Sequence, residues 1–201
     1  MANFVTNRIS LIGNYAIKEL SKEINRRFNE DCRLNNNYSD TSQVGRLLFG
    51  LSGDAAYLSD KLDAKWVHVD GGLGEDEALR LISGWRPVFE IQNQILECAY
   101  KLDPHVIVYM EYDDEMPNFI GVSYATLEKG SIIEFDIEKE LRGWLVAYDS
   151  DYEEAFKANL VSKEYEGVLR WEEVWEVMQD IRTEAFTALK ARYSWVNDSM
   201  F

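Results

Sequence analysis

Cysteine, histidine and proline are scarce in this sequence, which has two, two and three of them among 201 residues. Neither Cys32 nor Cys98 belongs to a Cys-x-x-Cys motif or to a Cys/His cluster, so the sequence predicts no disulfide framework and no metal site. Cys98 falls on the apolar side of a predicted helix, where we expect a small core residue. The sequence also predicts no cofactor.

Long apolar runs are also missing from the sequence. No stretch approaches the roughly 18 apolar residues that suggest a membrane-spanning helix. The first ten residues, MANFVTNRIS, lack the basic flank and apolar stretch of a signal peptide. We therefore expect a cytoplasmic protein that contacts no membrane.

Basic residues are outnumbered, with 21 Lys and Arg against 36 Asp and Glu and a formal net charge of −15. This balance excludes a nucleic-acid-binding protein that works mainly by neutralising phosphates, because that mechanism needs a positive surface. The partner that this charge predicts is a basic host protein or nucleoprotein complex, with no direct contact to nucleic acid.

The negative charge is concentrated in residues 103–154, which hold 14 acidic and 3 basic residues. One interpretation is solubility alone. A sharper one is mimicry of nucleic acid, but alternate strand residues lie about 6.7 Å apart and DNA phosphates about 3.4 Å apart, so a mimic needs a second acidic row. The partner-binding residues that we predict are Glu111, Asp113, Asp114, Glu115, Glu134, Asp136, Glu138, Glu140, Asp149 and Asp151.

Apolar periodicity and turn residues predict the order strand, helix, insertion, strand, strand, helix, strand, strand. That order is typical of the split βαβ, or ferredoxin-like, arrangement, here with an inserted segment at 29–63 whose residues 29–41 are predicted to be a loop. The predicted fold class is therefore α+β. The predicted elements are a strand over 3–12, a helix from Tyr15 capped by Asn14, a helix near 54–62, a hairpin over 65–70 and 78–83, a helix after Pro87, and strands over 105–112 and 119–126 around an acidic turn at 113–117.

The last third of the chain is predicted to be an extension over 127–201, packed on a core over 1–126. It holds a half-buried strand over 131–139 and a short helix whose inward residues are Tyr152, Phe156 and Leu160. A long amphipathic helix from about Arg170 to Arg192 follows, and we expect its apolar stripe to pack on the chain's own sheet.

Four short motifs occur in the first 126 residues. They are Met1-Ala2-Asn3 with Asn7, Lys65-Trp66, Gly84-Trp85-Arg86-Pro87, and Glu111-Tyr112 followed by Gly121. In these motifs the chain resembles the YubB-type ferredoxin-like proteins of plasmids, phages and bacterial genomes. The resemblance implies a ferredoxin-like fold and an association with mobile elements, and it carries over no catalytic activity and no site residues.

These observations favour a non-enzymatic acidic interaction protein of a phage or mobile element. Its sharpest form is a nucleic-acid mimic that inhibits a host defence or nucleic-acid-binding complex. One alternative is a metal-assisted hydrolase that uses His68, Asp70 and nearby carboxylates, although a surface position in the hairpin is the simpler account of His68. A second alternative is a structural accessory protein that docks through its C-terminal helix. Trp66 and Trp85 are predicted to be core residues.

Overall fold

The order of strands and helices emerges from a computed structural model, which describes residues 3–34, 44–45, 49–50, 55–69, 78–115, 118–162 and 165–197. The elements are β1 (Phe4–Ile12), α1 (Tyr15–Leu34), α2 (Ala55–Lys61), β2 (Lys65–Val69), β3 (Leu79–Gly84), α3 (Phe89–Ala99), β4 (Ile107–Asp114), β5 (Phe119–Glu128), β6 (Ser131–Glu140), β7 (Trp144–Ala147), α4 (Tyr152–Ser162), β8 (Gly167–Arg170) and α5 (Trp171–Arg192). The fold is mixed α+β, as predicted.

Six strands form one sheet in the order β2-β3-β1-β4-β5-β6, and every neighbouring pair is antiparallel. The predicted hairpin of β2 and β3 is confirmed. Strand β6 continues the sheet beyond β5 and lies at one edge. Strands β7 and β8 pair in parallel as a separate two-stranded sheet.

Apolar side chains cover both faces of the sheet. On one face, Val5 and Ile9 of β1 join Val108 and Met110 of β4 in a core that includes buried residues of α1 and α3. On the other face, Val174, Met178, Ala185 and Leu189 of α5 pack against buried residues of β4 and β5. The apolar stripe of the long helix is therefore covered by the chain's own sheet.

Helix α1 begins where the sequence predicts, because the Asn14 side-chain oxygen accepts hydrogen bonds from the backbone N–H groups of Ala16 (2.9 Å) and Ile17 (3.3 Å). It ends later than predicted, since residues 29–34 are helical and the loop prediction there was wrong. Ion pairs of Glu23 and Arg26, at helical spacing, support the helix as it approaches this segment. Residues 35–41, and most of 42–54, lie outside the described residues.

Several apolar residues that were predicted to be internal are exposed. Trp66 and Trp85 expose 54% and 48% of their surface, and their rings contact each other at 5.1 Å between centroids. Both have positive φ angles, of 51° and 69°, which bulky residues rarely adopt, so local backbone geometry places them at the surface. Cys98 is also exposed, as is Phe156, which stacks on Tyr152.

The predicted acidic turn was also placed wrongly in part. Asp113 and Asp114 are the last two residues of β4, because both pair with β1 across the sheet. Residues 116–117 lie outside the described part of the chain, as do Asp70 and the glycine-rich connection after it. Among the helices of the described residues, none is sufficiently long and apolar to span a membrane.

Candidate functional site

The predicted partner-binding carboxylates divide between the two faces of the sheet. Successive strand residues point to opposite faces, so Glu111 and Asp113 lie on the face of α5, whereas Asp114 lies on the face of α1 and α3. Glu115 follows β4 and is exposed, and Asp149 and Asp151 are exposed between β7 and α4. The ten residues therefore do not form one surface.

Asp114 is a structural residue. It is 1% exposed, and its Oδ2 accepts hydrogen bonds from the side-chain amides of Asn3 at 2.7 Å and Asn118 at 2.5 Å. These bonds connect the start of β1 to the start of β5. A buried carboxylate cannot contact a partner, so the predicted role of Asp114 was wrong.

Four of the predicted carboxylates do form a continuous row, on the exposed side of edge strand β6. Glu134, Asp136, Glu138 and Glu140 occupy alternate positions and are exposed. Burial raises the pKa of Asp136, to which the charge of Glu134 adds, and burial together with Asp136 raises the pKa of Glu138. We call these four residues the β6 acidic row.

Tyr112 of β4 reaches this row across strand β5. Its hydroxyl donates a hydrogen bond to Asp136 at 2.7 Å and lies 3.4 Å from a Glu138 oxygen. Between them stands Gly121, which pairs with Tyr112 on one side and Glu138 on the other. A Cβ atom at position 121 would overlap the phenol ring, so glycine is required for this contact.

Replacing Gly121 with alanine is therefore expected to lower the free energy of unfolding by about 1–3 kcal/mol, the usual cost of overpacking a core. Urea denaturation measures the loss. In a Tyr112→Ala background the same glycine replacement should have little further effect, because the overlapping ring is gone. Equal losses in both backgrounds would contradict this account of Gly121.

A cleft with charged and apolar walls opens on the opposite face of the sheet. It lies between the N-terminal half of α5 and the strands β1, β3, β4 and β5, with a cavity of ≈ 210 Å³. Its residues are Thr6, Arg8, Arg80, Glu111, Asp113, Ile120, Trp171, Val174, Trp175, Met178 and Arg182. Apolar helix residues and charged strand residues thus share one site, which we call the arginine cleft.

Strand register positions the charges of the arginine cleft. Arg8 in β1 pairs with Arg80 in β3 on one side and with Glu111 in β4 on the other, so the three side chains form a row across the sheet. A Glu111 carboxylate oxygen lies 2.5 Å from Arg182 of α5 and 3.7 Å from Arg8. The other oxygen accepts a hydrogen bond from Tyr109 at 3.0 Å.

Glu111 is therefore engaged within the protein and is not displayed to a partner. Its side chain is only 14% exposed, and two guanidinium groups balance its charge. The structure places Glu111, a predicted partner-binding residue, in ion pairs with Arg8 and Arg182. Its role in the structure is to hold Arg8 and Arg182 together at the wall of the cleft.

Asp113 lies in the next row, where it pairs with Thr6 of β1 and Ile120 of β5. Burial raises the pKa of Asp113 to about 6, and the charges of Asp114 and Glu111 add to the rise. Three guanidinium groups thus line the same cavity as two carboxylates, of which Glu111 is ion-paired. Its lining therefore holds three arginines and two acidic residues, within a protein of net charge −15.

Replacing Asp113 with asparagine is expected to increase the free energy of unfolding at pH 7 by about 1–3 kcal/mol, from about 1.4 kcal/mol per pKa unit. Between its ordinary pKa of 3.8 and about 6, the folded state keeps a proton that the unfolded state has lost. Wild-type stability therefore falls as pH rises through this window, and the gain should be much smaller near pH 4.

Urea denaturation of wild type and variant at the two pH values measures this difference. Asp151→Asn, at an exposed aspartate, is the matched control and should change stability little at either pH. A gain of the same size at both pH values would show that Asp113 is not a strained carboxylate.

Sequence reasoning missed Arg8, Arg80 and Arg182, because no local motif contains them. They belong to three elements and meet only through strand register and helix packing. One feature of the sequence could have indicated the cleft. Strand β1 lies inside the sheet, yet buried residues alternate along it with the polar residues Thr6, Arg8 and Ser10. Polar residues along the second face of a central strand indicate a face that is not fully covered by apolar packing.

Comparison with known proteins returns no relative. No family model, no curated protein and no solved structure matches the chain.

The hydrolase alternative was based on His68 and Asp70. His68 lies in β2, with its Nδ1 atom 3.2 Å from the carbonyl oxygen of Trp66, and Asp70 is outside the described residues. Within the described ranges, no three His, Cys, Asp or Glu side chains are grouped so that they could hold a metal ion.

Proposed function

We propose that this protein is a non-enzymatic binding protein whose arginine cleft takes the anionic group of a small ligand. The observation that carries the proposal is the convergence of Arg8, Arg80 and Arg182 in one cavity. Guanidinium groups match the oxygens of carboxylates and phosphates in geometry as well as in charge.

The surroundings of the arginines support the same function. Val174 and Met178 form an apolar wall beside them, and low-dielectric walls strengthen the attraction between a guanidinium group and a bound anion. Glu111 already accepts from Arg182, so it fixes the guanidinium before a ligand arrives. A site that is pre-organised in this way loses less entropy when it binds.

Titration with pyrophosphate tests the proposal. Isothermal calorimetry and the fluorescence of Trp171 and Trp175, which line the cavity, should both report saturable binding. The affinity should fall as salt is added, because the attraction is electrostatic. Absence of heat and of a fluorescence change at millimolar pyrophosphate would overturn the proposed function.

We also propose that residues 1–126 have the ferredoxin-like arrangement and belong with the YubB-type proteins. The order β2-β3-β1-β4 supports this, because β2 then lies beside β3 and β4 beside β1, as two interleaved βαβ units require. Strands β5 and β6 extend that sheet as an antiparallel meander. The proposal includes the association with phages and mobile elements that this family resemblance implies.

A second candidate function rests on the β6 acidic row. Four carboxylates on an exposed edge strand favour a basic partner, such as a nucleic-acid-binding protein of a host defence complex. The pKa values of Asp136 and Glu138 are raised, so negative charge is unfavourable at both positions. Repulsion by neighbouring carboxylates is one of the causes. A cationic partner relieves that repulsion.

Charge reversal of Glu134, Asp136 and Glu140 to lysine is expected to lower the affinity for such a partner by 10-fold or more. A tenfold change in affinity corresponds to about 1.4 kcal/mol. The measurement is competition, in which the protein displaces DNA from a candidate basic target at physiological salt. Reversal of Glu153 and Glu154, exposed on α4, is the matched control. Unchanged competition by the β6 variant would exclude this surface.

A further inference from the structure

We infer that the ligand of the arginine cleft is a free nucleotide, whose phosphates bind the arginines and whose base stacks on Trp175. This inference rests on the proposed function and names the class of ligand for the same site. It adds one requirement, a planar ring joined to the anionic group, which the proposed function does not need.

The cavity is large enough for only one part of such a ligand. Its volume is ≈ 210 Å³, whereas sites that enclose a whole small molecule are usually about 300–1,000 Å³. The cavity therefore holds only the charged end of a nucleotide-sized molecule. The remainder must lie at the rim, against side chains that are exposed.

Trp175 supplies that rim surface. It lines the cavity and yet exposes 51% of its surface, although Val174 and Met178 on the same helix pack on the sheet. Arg182, which pairs with Glu111 inside the cleft, lies 6.0 Å from the Trp175 ring. The Trp175 ring thus adjoins the Arg182 guanidinium, as the base stands beside the phosphates in a nucleotide.

A second tryptophan of α5 belongs to the same rim. Trp171 also lines the cavity and stacks on Tyr148, with 5.9 Å between ring centroids and 28° between their planes. Tyr148 is 65% exposed. Aromatic side chains at the edge of a positive groove are the arrangement by which proteins bind bases without reading their sequence.

The charge of the whole protein selects a free nucleotide over a nucleic acid chain. A net charge of −15 repels a polyanion that extends beyond the cleft, because a long strand requires several compensated phosphates. One or two phosphates, in contrast, can be enclosed by the three arginines. A single-stranded oligonucleotide is therefore the competing source of the same chemistry.

The test compares four probes by isothermal calorimetry on the full chain: pyrophosphate, adenosine 5′-diphosphate, adenosine, and a ten-nucleotide oligothymidine. Base stacking on an aromatic ring adds 1–3 kcal/mol, so adenosine 5′-diphosphate should bind roughly 5- to 150-fold more tightly than pyrophosphate. Adenosine alone should bind weakly, because it lacks the phosphates. Tighter binding of the oligothymidine would overturn the assignment to a free nucleotide.

The variant Trp175→Ala then distinguishes the contribution of the base to binding from that of the phosphates. This variant should lose most of the preference for adenosine 5′-diphosphate while its pyrophosphate affinity stays within about twofold of wild type, since stacking contributes only to the ring-bearing ligand. Trp85→Ala is the matched control, because Trp85 is equally exposed at 48% and is no part of the cavity.

Two failures are distinguishable. If pyrophosphate binds but adenosine 5′-diphosphate binds no more tightly, or if Trp175→Ala keeps the full preference, the nucleotide assignment is wrong and the anion site stands. If no probe binds, the proposed function itself is wrong and the nucleotide assignment falls with it.

Discussion

Replacing Asn7 with alanine is expected to lower the free energy of unfolding by about 2–4 kcal/mol, because buried polar partners left without a hydrogen bond cost about 1–3 kcal/mol each. Asn7 is fully buried in the central strand β1. Its side-chain amide donates to Ser83 Oγ at 2.9 Å and to the Leu81 carbonyl at 3.3 Å. Its oxygen accepts from the Val88 N–H at 3.1 Å.

These bonds determine where α3 begins. Ser83 Oγ donates in turn to the carbonyl of Arg86 at 2.7 Å, so one buried asparagine fixes the segment between β3 and α3. Alanine would leave the Val88 N–H buried without its acceptor. The loss should therefore exceed that of a simple surface change by several-fold.

Urea denaturation measures the change, with Gln179→Ala at an exposed glutamine of α5 as the matched control. The control should lie within about 0.5 kcal/mol of wild type, as surface substitutions usually do. A loss at position 7 no larger than that of the control would mean that these bonds contribute little to the fold.

Replacing Arg8 and Arg80 together with glutamine is expected to weaken pyrophosphate binding by more than about 100-fold, since each hydrogen bond to a charged group contributes about 1.5–3 kcal/mol. Both residues line the cavity and are partly exposed on the sheet. Glutamine keeps a polar side chain, although a shorter one, and removes the charge. Arg182 stays in place, so its ion pair with Glu111 is retained.

Isothermal calorimetry with pyrophosphate gives the affinity, and urea denaturation shows whether the variant remains folded. Arg26→Gln is the matched control, because Arg26 is exposed on α1, which packs on the opposite face of the sheet. Its affinity should stay within about twofold of wild type, since charges beyond a Debye length are screened. Equal weakening by the control and the cleft variant would indicate a non-specific effect of net charge.

The sequence was most informative where structure depends on local pattern. The apolar residues of α5 recur at helical spacing, and Val174, Met178, Ala185 and Leu189 are buried as that spacing predicts. The alternation over 131–139 likewise appears as strand β6, with Ile133, Phe135 and Ile137 half-buried. Hydrophobic periodicity needs no knowledge of distant residues, so these elements follow from short windows of sequence.

The exposed tryptophans show where local reasoning failed. A large apolar residue favours burial on average, yet Trp66 and Trp85 lie at a bulge and a turn where positive φ angles direct their side chains outwards. Residue type indicates what a side chain prefers, and backbone conformation decides where it points. The rings of the two tryptophans pack against each other, and the Lys65 ammonium lies 5.1 Å from the centre of the Trp85 ring.

The division of the acidic residues has the same origin. Residues 103–154 are rich in carboxylates along the chain, but β4 places Glu111 and Asp114 on opposite faces of the sheet and surrounds each with partners. Among the strands of the described ranges, β6 is the one that displays its carboxylates in one row. The period of two in a strand converts a cluster in sequence into two groups in space.

The arginine cleft could not be predicted because its charged residues are distant in sequence. Arg8 and Arg80 become neighbours through antiparallel register, and Arg182 joins them only when α5 packs on the sheet. The same packing leaves Trp175 at the rim. The local motifs that the sequence does show include Asn7 and Gly84-Trp85-Arg86-Pro87, which the fold brings together on the other face.

Nuclear magnetic resonance of the arginine side chains tests the central claim most directly. Titration of the isotopically labelled protein with pyrophosphate should shift the Nε–Hε signals of Arg8, Arg80 and Arg182, with one common saturation curve. The signals of Arg26 and Arg27 on α1 should stay in place. Shifts that spread evenly over all arginines, or that occur on α1 and spare the cleft, would contradict an anion site between α5 and the sheet.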